Sequence, residues 1–246
     1  MNRCDNLRCA RVFVWAYMAA LVLVPRPGYG DEESWRTILF RVYPIDDADL
    51  RNLVYLETPE TFTPLIARPY ARSRPFSYRG PDPLVFYRSA DIAGEPPHRP
   101  VAAIDLPDGV SNLLLFLLPG KQIESGSTRI RIVATDDSHR ALPPDHLRFV
   151  NGTGRELSGI FGERPLRLAP GGTRVVPVSR WRGKEVPVAL AAHHRGAWRP
   201  VLQNRWRFYR GNRTVILLLP PRDSKSLRIR AYRISEYIHS GEEPDH

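Results

Sequence analysis

The sequence predicts an all-β protein: two tandem, similar β-sandwich domains behind an N-terminal leader. Three observations predict it. Twenty-four prolines are spread over 246 residues, and few helix-length windows escape a proline or glycine, so long helices have no room. In their place stand short apolar segments of alternating pattern, each closed by a turn. The segments of the first half also return, in similar order, in the second.

Residues 1–30 stand apart from this pattern. MNRCDNLRCAR is a basic start, VFVWAYMAALVLV (Val12 to Val24) is an uncharged apolar run, and PRPGYG places Gly28 and Gly30 at the small positions before a cut at Asp31. This resembles a bacterial secretory signal peptide. The run is short of the ~20 residues that cross a bilayer, so a retained inner-membrane anchor is the rival reading. No cysteine follows the run to accept a lipid. Both cysteines, Cys4 and Cys9, lie in the leader, so the mature chain is expected to hold neither a disulfide nor a cysteine metal site. The formal charge of the whole chain is +10; without the four Arg and one Asp of the leader it is +7. The cations are nearly all arginine; GC-rich codons are the favoured explanation, and partners that suit a planar guanidinium are the alternative.

Taken in order, the segments WRTILFRVYP, NLVYLE, PLVFYR, RPVAAIDL, NLLLFLLP and STRIRIVAT read as strands of residues 34–137. HLRFVN, RPLRLAP, TRVVPV, EVPVALAA, RWRFYR, TVILLLPP and LRIRAYRIS read as strands of residues 138–238, with an acidic flexible tail at 239–246. Residues 112–137 are echoed by 214–236: an apolar strand closed by Leu-Pro, a polar turn, then a strand reading Arg-Ile-Arg. RPVAAI is set against EVPVALA, LVYLE against LRFVN, and 74–88 against 164–178. A repeat period of about 95–100 residues suits a small sandwich domain rather than a solenoid.

The Leu-Pro endings have a physical reason. Leu217 to Leu219 are apolar on both strand faces, which predicts a central, buried strand, and Pro220 stops the pairing because it has no N–H to donate. In the strands that follow, Ile130, Ile132, Ile229 and Ala231 are expected to face the core. Arg129, Arg131, Arg228, Arg230 and Tyr232 are expected to face water.

Two stretches are candidates for contact with a ligand or partner. The first is ARPYARSRPFSYRG (67–80). Its second part aligns with the repeat and reads as edge strand and turn, whereas the preceding segment, 58–73, is longer than its counterpart and carries Arg68, Tyr70 and Arg72. The second is AWRPVLQNRWRFYRGNRTV (197–215). Strand parity puts Trp206 and Phe208 on one face and Arg205, Arg207 and Tyr209 on the other, and RGNR (210–213) reads as a tight turn that makes the next strand the antiparallel partner. If LRIRAYR joined that sheet, Arg228 and Arg230 would extend a positive face toward acidic polysaccharide or lipid headgroups; the alternative is a solvated face whose arginine stems shield the core.

Familiar chemistry is scarce. No nucleophile elbow, zincin helix, P-loop or dinucleotide fingerprint occurs. His193 and His194 are adjacent and point apart on a strand, so a polar hairpin tip is expected rather than a metal site. Asp46, Asp47 and Asp49 lack the glycine and glutamate of a calcium loop. Asp136-Asp137-Ser138-His139 reads as a linker rather than a triad. The Asn-x-Thr tripeptides at Asn151 and Asn212 read as turn chemistry.

The run LRFVNGTGRELSGIFGERPLRLAPGGTRVVPV (147–178), and more loosely 53–88, resembles small immunoglobulin-like repeats of secreted bacterial proteins of unknown function. The resemblance implies a sandwich outside the cytoplasm and carries over no functional residue. The expected role is that of an exported, non-enzymatic protein, without cofactor or metal, in envelope structure, adhesion or assembly. Its partners would be cell-envelope polysaccharide, anionic lipid headgroups or another envelope protein; nucleic acid is not expected. The alternatives are an anion- or carbohydrate-binding module and a hydrolase, the latter needing two carboxylates ~5–9.5 Å apart if it cleaves glycosides.

Overall fold

A computed structural model describes residues 35–46, 48–58, 61–92, 98–122 and 128–238. The leader, Asp47 and the tail at 239–246 lie outside the described residues. Among the described residues there are sixteen strands, one short α-helical turn, Ser89–Ile92, and one 3-10 turn, Ser179–Trp181. In the first half these are β1 (Arg36–Pro44), β2 (Leu53–Thr58), β3 (Thr61–Pro64), β4 (Phe76–Gly80), β5 (Leu84–Arg88), β6 (Pro100–Ile104), β7 (Asn112–Gln122) and β8 (Thr128–Asp136). The second half holds β9 (His146–Asn151), β10 (Leu157–Phe161), β11 (Arg164–Leu168), β12 (Thr173–Pro177), β13 (Glu185–His194), β14 (Ala197–Arg207), β15 (Asn212–Leu219) and β16 (Arg230–Tyr237).

The strands form four four-stranded sheets, ordered β4-β1-β7-β8, β3-β2-β5-β6, β12-β9-β15-β16 and β11-β10-β13-β14. Adding eight to each strand number of the first half reproduces the second. The direction of pairing repeats as well: β1 runs parallel to β7, β9 runs parallel to β15, and the remaining pairs are antiparallel.

This order corrects the middle of the sequence alignment. The match of 112–137 to 214–236 pairs β7 and β8 with their counterparts β15 and β16. The other three matches are displaced by one strand. LVYLE is β2, but LRFVN is β9, the counterpart of β1; RPVAAI is β6, but EVPVALA lies in β13, the counterpart of β5; residues 74–88 hold β4 and β5, but 164–178 hold β11 and β12. A period-2 pattern is the same in neighbouring strands, so it does not say which neighbour is which.

Inward-facing residues of each half fill one core. Phe40, Leu53, Tyr55, Leu84, Phe86, Leu113 and Leu115 belong to the first, and Phe149, Leu157, Phe161, Val188, Trp206, Ile216 and Leu218 to the second. A third apolar layer joins the halves. Ile45, Leu114, Phe116, Leu118 and Leu142 meet Val150, Val215, Leu217, Leu219 and Ile234, with Tyr43, Val133 and Tyr232 at the margin. The sheets therefore stack four deep, with β7 and β15 at the centre. Each fully buried aliphatic or aromatic side chain contributes ~1.5–3 kcal/mol, and residues 113–117 and 216–219 are all 0% exposed.

β7 and β15 are central and buried, as their two-faced apolar character predicts. One face packs inside its own half and the other against the opposite half. For the same reason the alternate face of β16 does not look into water: Tyr232 packs on the third layer and Arg230 reaches Asp46.

Candidate functional site

Where the third layer ends, charged side chains take over, and the seam between the halves is lined by two arginine clusters. At one end Asp46 takes a positive φ of 54° at the close of β1 and is 9% exposed. It accepts hydrogen bonds from Tyr232 Oη at 2.6 Å and Arg222 Nη2 at 2.6 Å, and from Arg230 Nη1. Arg230 Nε donates in addition to the Pro220 carbonyl at 2.9 Å. A cavity of about 460 Å³ opens here, lined by Asp46, Leu118, Pro119, Arg131, Arg222 and Arg230.

Burial alone would push the Asp46 carboxyl up. The hydrogen bonds from Tyr232, Arg222 and Arg230, with the charge of Arg230, outweigh it, and the net shift is downward. A carboxyl depressed in the folded state stabilises fully above its unfolded pKa of ~3.9 and loses that contribution as pH falls through the folded value. Asp46→Asn is therefore expected to lower stability at pH 7 by ~2 kcal/mol. Urea midpoints of the two proteins should converge between about pH 4 and pH 2; a gap unchanged at pH 2 would contradict the ion pair.

At the other end the acids are Asp137, 4% exposed, and Glu236. Asp137 is bound by Arg72 Nη2 and by Arg41 Nη1 at 3.4 Å, and Arg213 Nη2 lies 3.6 Å away. Glu236 accepts from Arg72 Nη1 and from Arg213 Nε at 2.7 Å. The first half supplies Arg41, Arg72 and Asp137, and the second Arg213 and Glu236, so the pairs cross the seam. A cavity of about 520 Å³ lies above them, bordered by Arg41, Tyr43, Tyr70, Arg72, Arg233 and Glu236 among others.

Loop 65–75 is fixed in place by the edge of β1. Tyr70 N donates to Pro44 O, Ser73 N to Val42 O, and Val42 N to Ser73 Oγ. Tyr70, at a φ of 56°, stacks on Tyr232 with centroids 6.5 Å apart and planes 18° apart. The two tyrosines bridge the two arginine clusters.

Of the candidate contact residues named from the sequence, the fold brings three to this seam: Tyr70, Arg72 and Arg230. Arg68 is exposed in the same loop. The proposed continuous face of Arg205, Arg207, Tyr209, Arg228 and Arg230 is not formed. Arg205 and Arg207 lie on β14, in the β11-β10-β13-β14 sheet, whereas Arg230 lies on β16, in the β12-β9-β15-β16 sheet. The turn at Tyr209 to Asn212 is present, but the chain leaving it crosses to the opposite sheet instead of returning as a hairpin partner. Arg207 sits 3.6 Å from Glu185, Tyr209 is exposed at the turn, and Arg228 is exposed just before β16. Sequence reading missed Arg41, Arg213, Arg222, Asp46, Asp137 and Glu236 as a group, because no local pattern marks a cluster assembled across two halves.

The minor candidates resolve simply. Asp46 and Asp49 are taken by arginines, the latter by Arg51 and Arg88. His193 and His194 end β13 beside a turn in which Arg195 and Gly196 have positive φ, and His193 packs on Trp198. Asn151 is fully buried; its Nδ2 donates to the carbonyls of Arg155, Leu168 and Ala169, and its Oδ1 accepts from Thr153. Its turn role therefore rests on these bonds rather than on a positive φ. Among the described residues no group of three or more His, Cys, Asp or Glu is placed to hold a metal ion, and no helix is long and apolar enough to cross a membrane. Neither a family model nor a curated protein matches the chain.

Proposed function

We propose that the protein is exported by its N-terminal leader and serves, without catalysis, as a rigid structural or assembly element of the cell envelope. In this reading its halves are two immunoglobulin-like β-sandwich domains derived from one ancestral unit. The observation that carries it is the third apolar layer. Ile45, Leu114, Phe116 and Leu118 against Val215, Leu217 and Leu219 make one body of two sandwiches, so a partner held by one half keeps a fixed orientation to the other. The identical strand order of the halves supports duplication. The saturation of Asp46, Asp137 and Glu236 by arginines supports a structural rather than an acid–base use of these carboxylates.

Two measurements test the reading. The chain with residues 1–30 is expected in the osmotic-shock or envelope fraction, and the chain lacking them in the cytoplasm; equal cytoplasmic recovery would remove export. The envelope leakiness of a deletion strain is expected to be repaired by the exported chain only. Repair by the leaderless chain, or turnover of ester, glycoside or phosphoester substrates by the purified protein, would overturn it.

A further inference from the structure

The cavity at the Asp46 end is lined by three arginines, Arg131, Arg222 and Arg230, and by one carboxylate, Asp46. Strand register shows which way the arginines on strands point, because directly opposite residues of an antiparallel pair share a face. Arg131 of β8 lies opposite Leu118 of β7, and Arg230 of β16 lies opposite Leu219 of β15. Leu118 and Leu219 both belong to the third layer, so both arginines leave their sheets on the seam side. They are counterparts in the two halves, yet their partners differ. Ile45 N donates to the Leu117 carbonyl as Gly152 N does to the Leu218 carbonyl, so Asp46 stands where the second half has Thr153. Asp46 binds Arg230 and Arg222. Thr153 carries no charge and gives its hydroxyl to Asn151 Oδ1.

Arg131 is exposed at this cavity and has no carboxylate partner among the described residues. The Arg222 side chain is 68% exposed and reaches Asp46 through Nη2, which leaves the rest of its fork open. Arg230 is held still, with Nε on the Pro220 carbonyl and the guanidinium 5.8 Å from the Tyr232 ring centre. Three guanidiniums less one carboxylate leave two positive charges around one space of about 460 Å³. That surplus selects the ligand. A phosphate monoester carries about −1.5 to −2 at neutral pH on three acceptor oxygens, and arginine forks match such oxygens; a lone carboxylate would answer only half the charge. We propose that this cavity binds a phosphate monoester group, with Arg131 and Arg222 donating to its oxygens and Arg230, fixed by Asp46, supplying charge behind them. The arginines come from both halves, so the ligand is held by both.

Titration calorimetry of the purified protein at low salt tests this with inorganic phosphate, glycerol 3-phosphate and acetate. At least one of the two phosphates is expected to bind, and acetate at least about tenfold more weakly. Arg131→Gln should weaken phosphate binding about tenfold and leave the thermal midpoint unchanged, since that side chain is exposed and unpaired among the described residues. Arg222→Gln should weaken it too. Arg131→Lys keeps the charge without the fork and should recover only part of the affinity. Arg205→Gln, on β14 in another sheet, should bind as the wild type does. Sedimentation with phosphatidylcholine vesicles, with and without phosphatidic acid, separates the two sources of such a group. Retention by phosphatidic acid that glycerol 3-phosphate displaces identifies a lipid headgroup; binding of the free phosphates without retention identifies a soluble phosphate. No binding of either phosphate, acetate binding as tightly, wild-type affinity in Arg131→Gln, or an equal loss in Arg205→Gln would each overturn the proposal.

Discussion

Leu217→Asp is expected to abolish the folded state of the chain. Leu217 stands in the middle of β15, between Val150 of β9 and Tyr232 of β16, at 0% exposure in the layer that joins the halves. A carboxylate there has no arginine in the layer around it, and an unpaired buried charge costs several kcal/mol or forces protonation. The lost leucine adds a cavity cost of ~2–5 kcal/mol, which Leu217→Ala measures alone. Together these approach the ~5–15 kcal/mol by which a domain is stable. Circular dichroism and urea unfolding are the readouts. Leu217→Ala should shift a single transition shared by both halves, and Leu39→Asp, at a position 46% exposed, should shift it little. If Leu217→Asp kept the wild-type midpoint, or if the wild type unfolded in two separate steps, the layer would not be binding the halves into one body.

Asp137→Ala is expected to cost ~3–5 kcal/mol, because it removes one partner of a buried pair and leaves the others charged. Its side chain is 2% exposed and that of Arg213 is 4% exposed, so water cannot repair the loss, and added salt should change it little. Arg72, Arg41 and Arg213 would then face one another with only Glu236 between them. The cycle Asp137→Ala, Arg213→Met and the double variant should give a coupling of ~1–3 kcal/mol, with the double variant more stable than Asp137→Ala alone. Additive losses in that cycle would show that the crossing pairs are ornaments of a contact held by apolar packing alone.

Much of the architecture could be read from residues 35–238 as letters. Alternation is a local property, so TILFRV, LVFYR and EVPVALAA disclose strands without knowledge of their neighbours. LLLFLL and VILLL disclose centrality, since a strand apolar on both faces must be covered twice. What letters cannot disclose is which surface does the covering. The second cover of β7 and β15 is the other half of the molecule, and nothing near Leu114 or Leu217 says so. The same limit governs the seam. Arg72 and Tyr70 stood out because their segment is longer than its counterpart. Asp137 looked like part of a linker, and Arg213 like a turn residue, because their meaning arises only where two distant segments meet. Arg205 and Arg230 were grouped on the assumption that a tight turn returns the chain to the same sheet, whereas in a sandwich it also serves to change sheets.

The strand order leaves β3, β4, β6, β8, β11, β12, β14 and β16 at sheet margins. Five of these carry a proline, Pro64, Pro100, Pro165, Pro177 and Pro200, and β4 is flanked by Pro75 and Pro81. A proline interrupts the row of donors that a stranger's backbone would need in order to zip on. The richness in proline that first argued against helices therefore also acts between molecules: it denies neighbouring copies a continuous ladder and guards a crowded population of all-β chains against fibre growth.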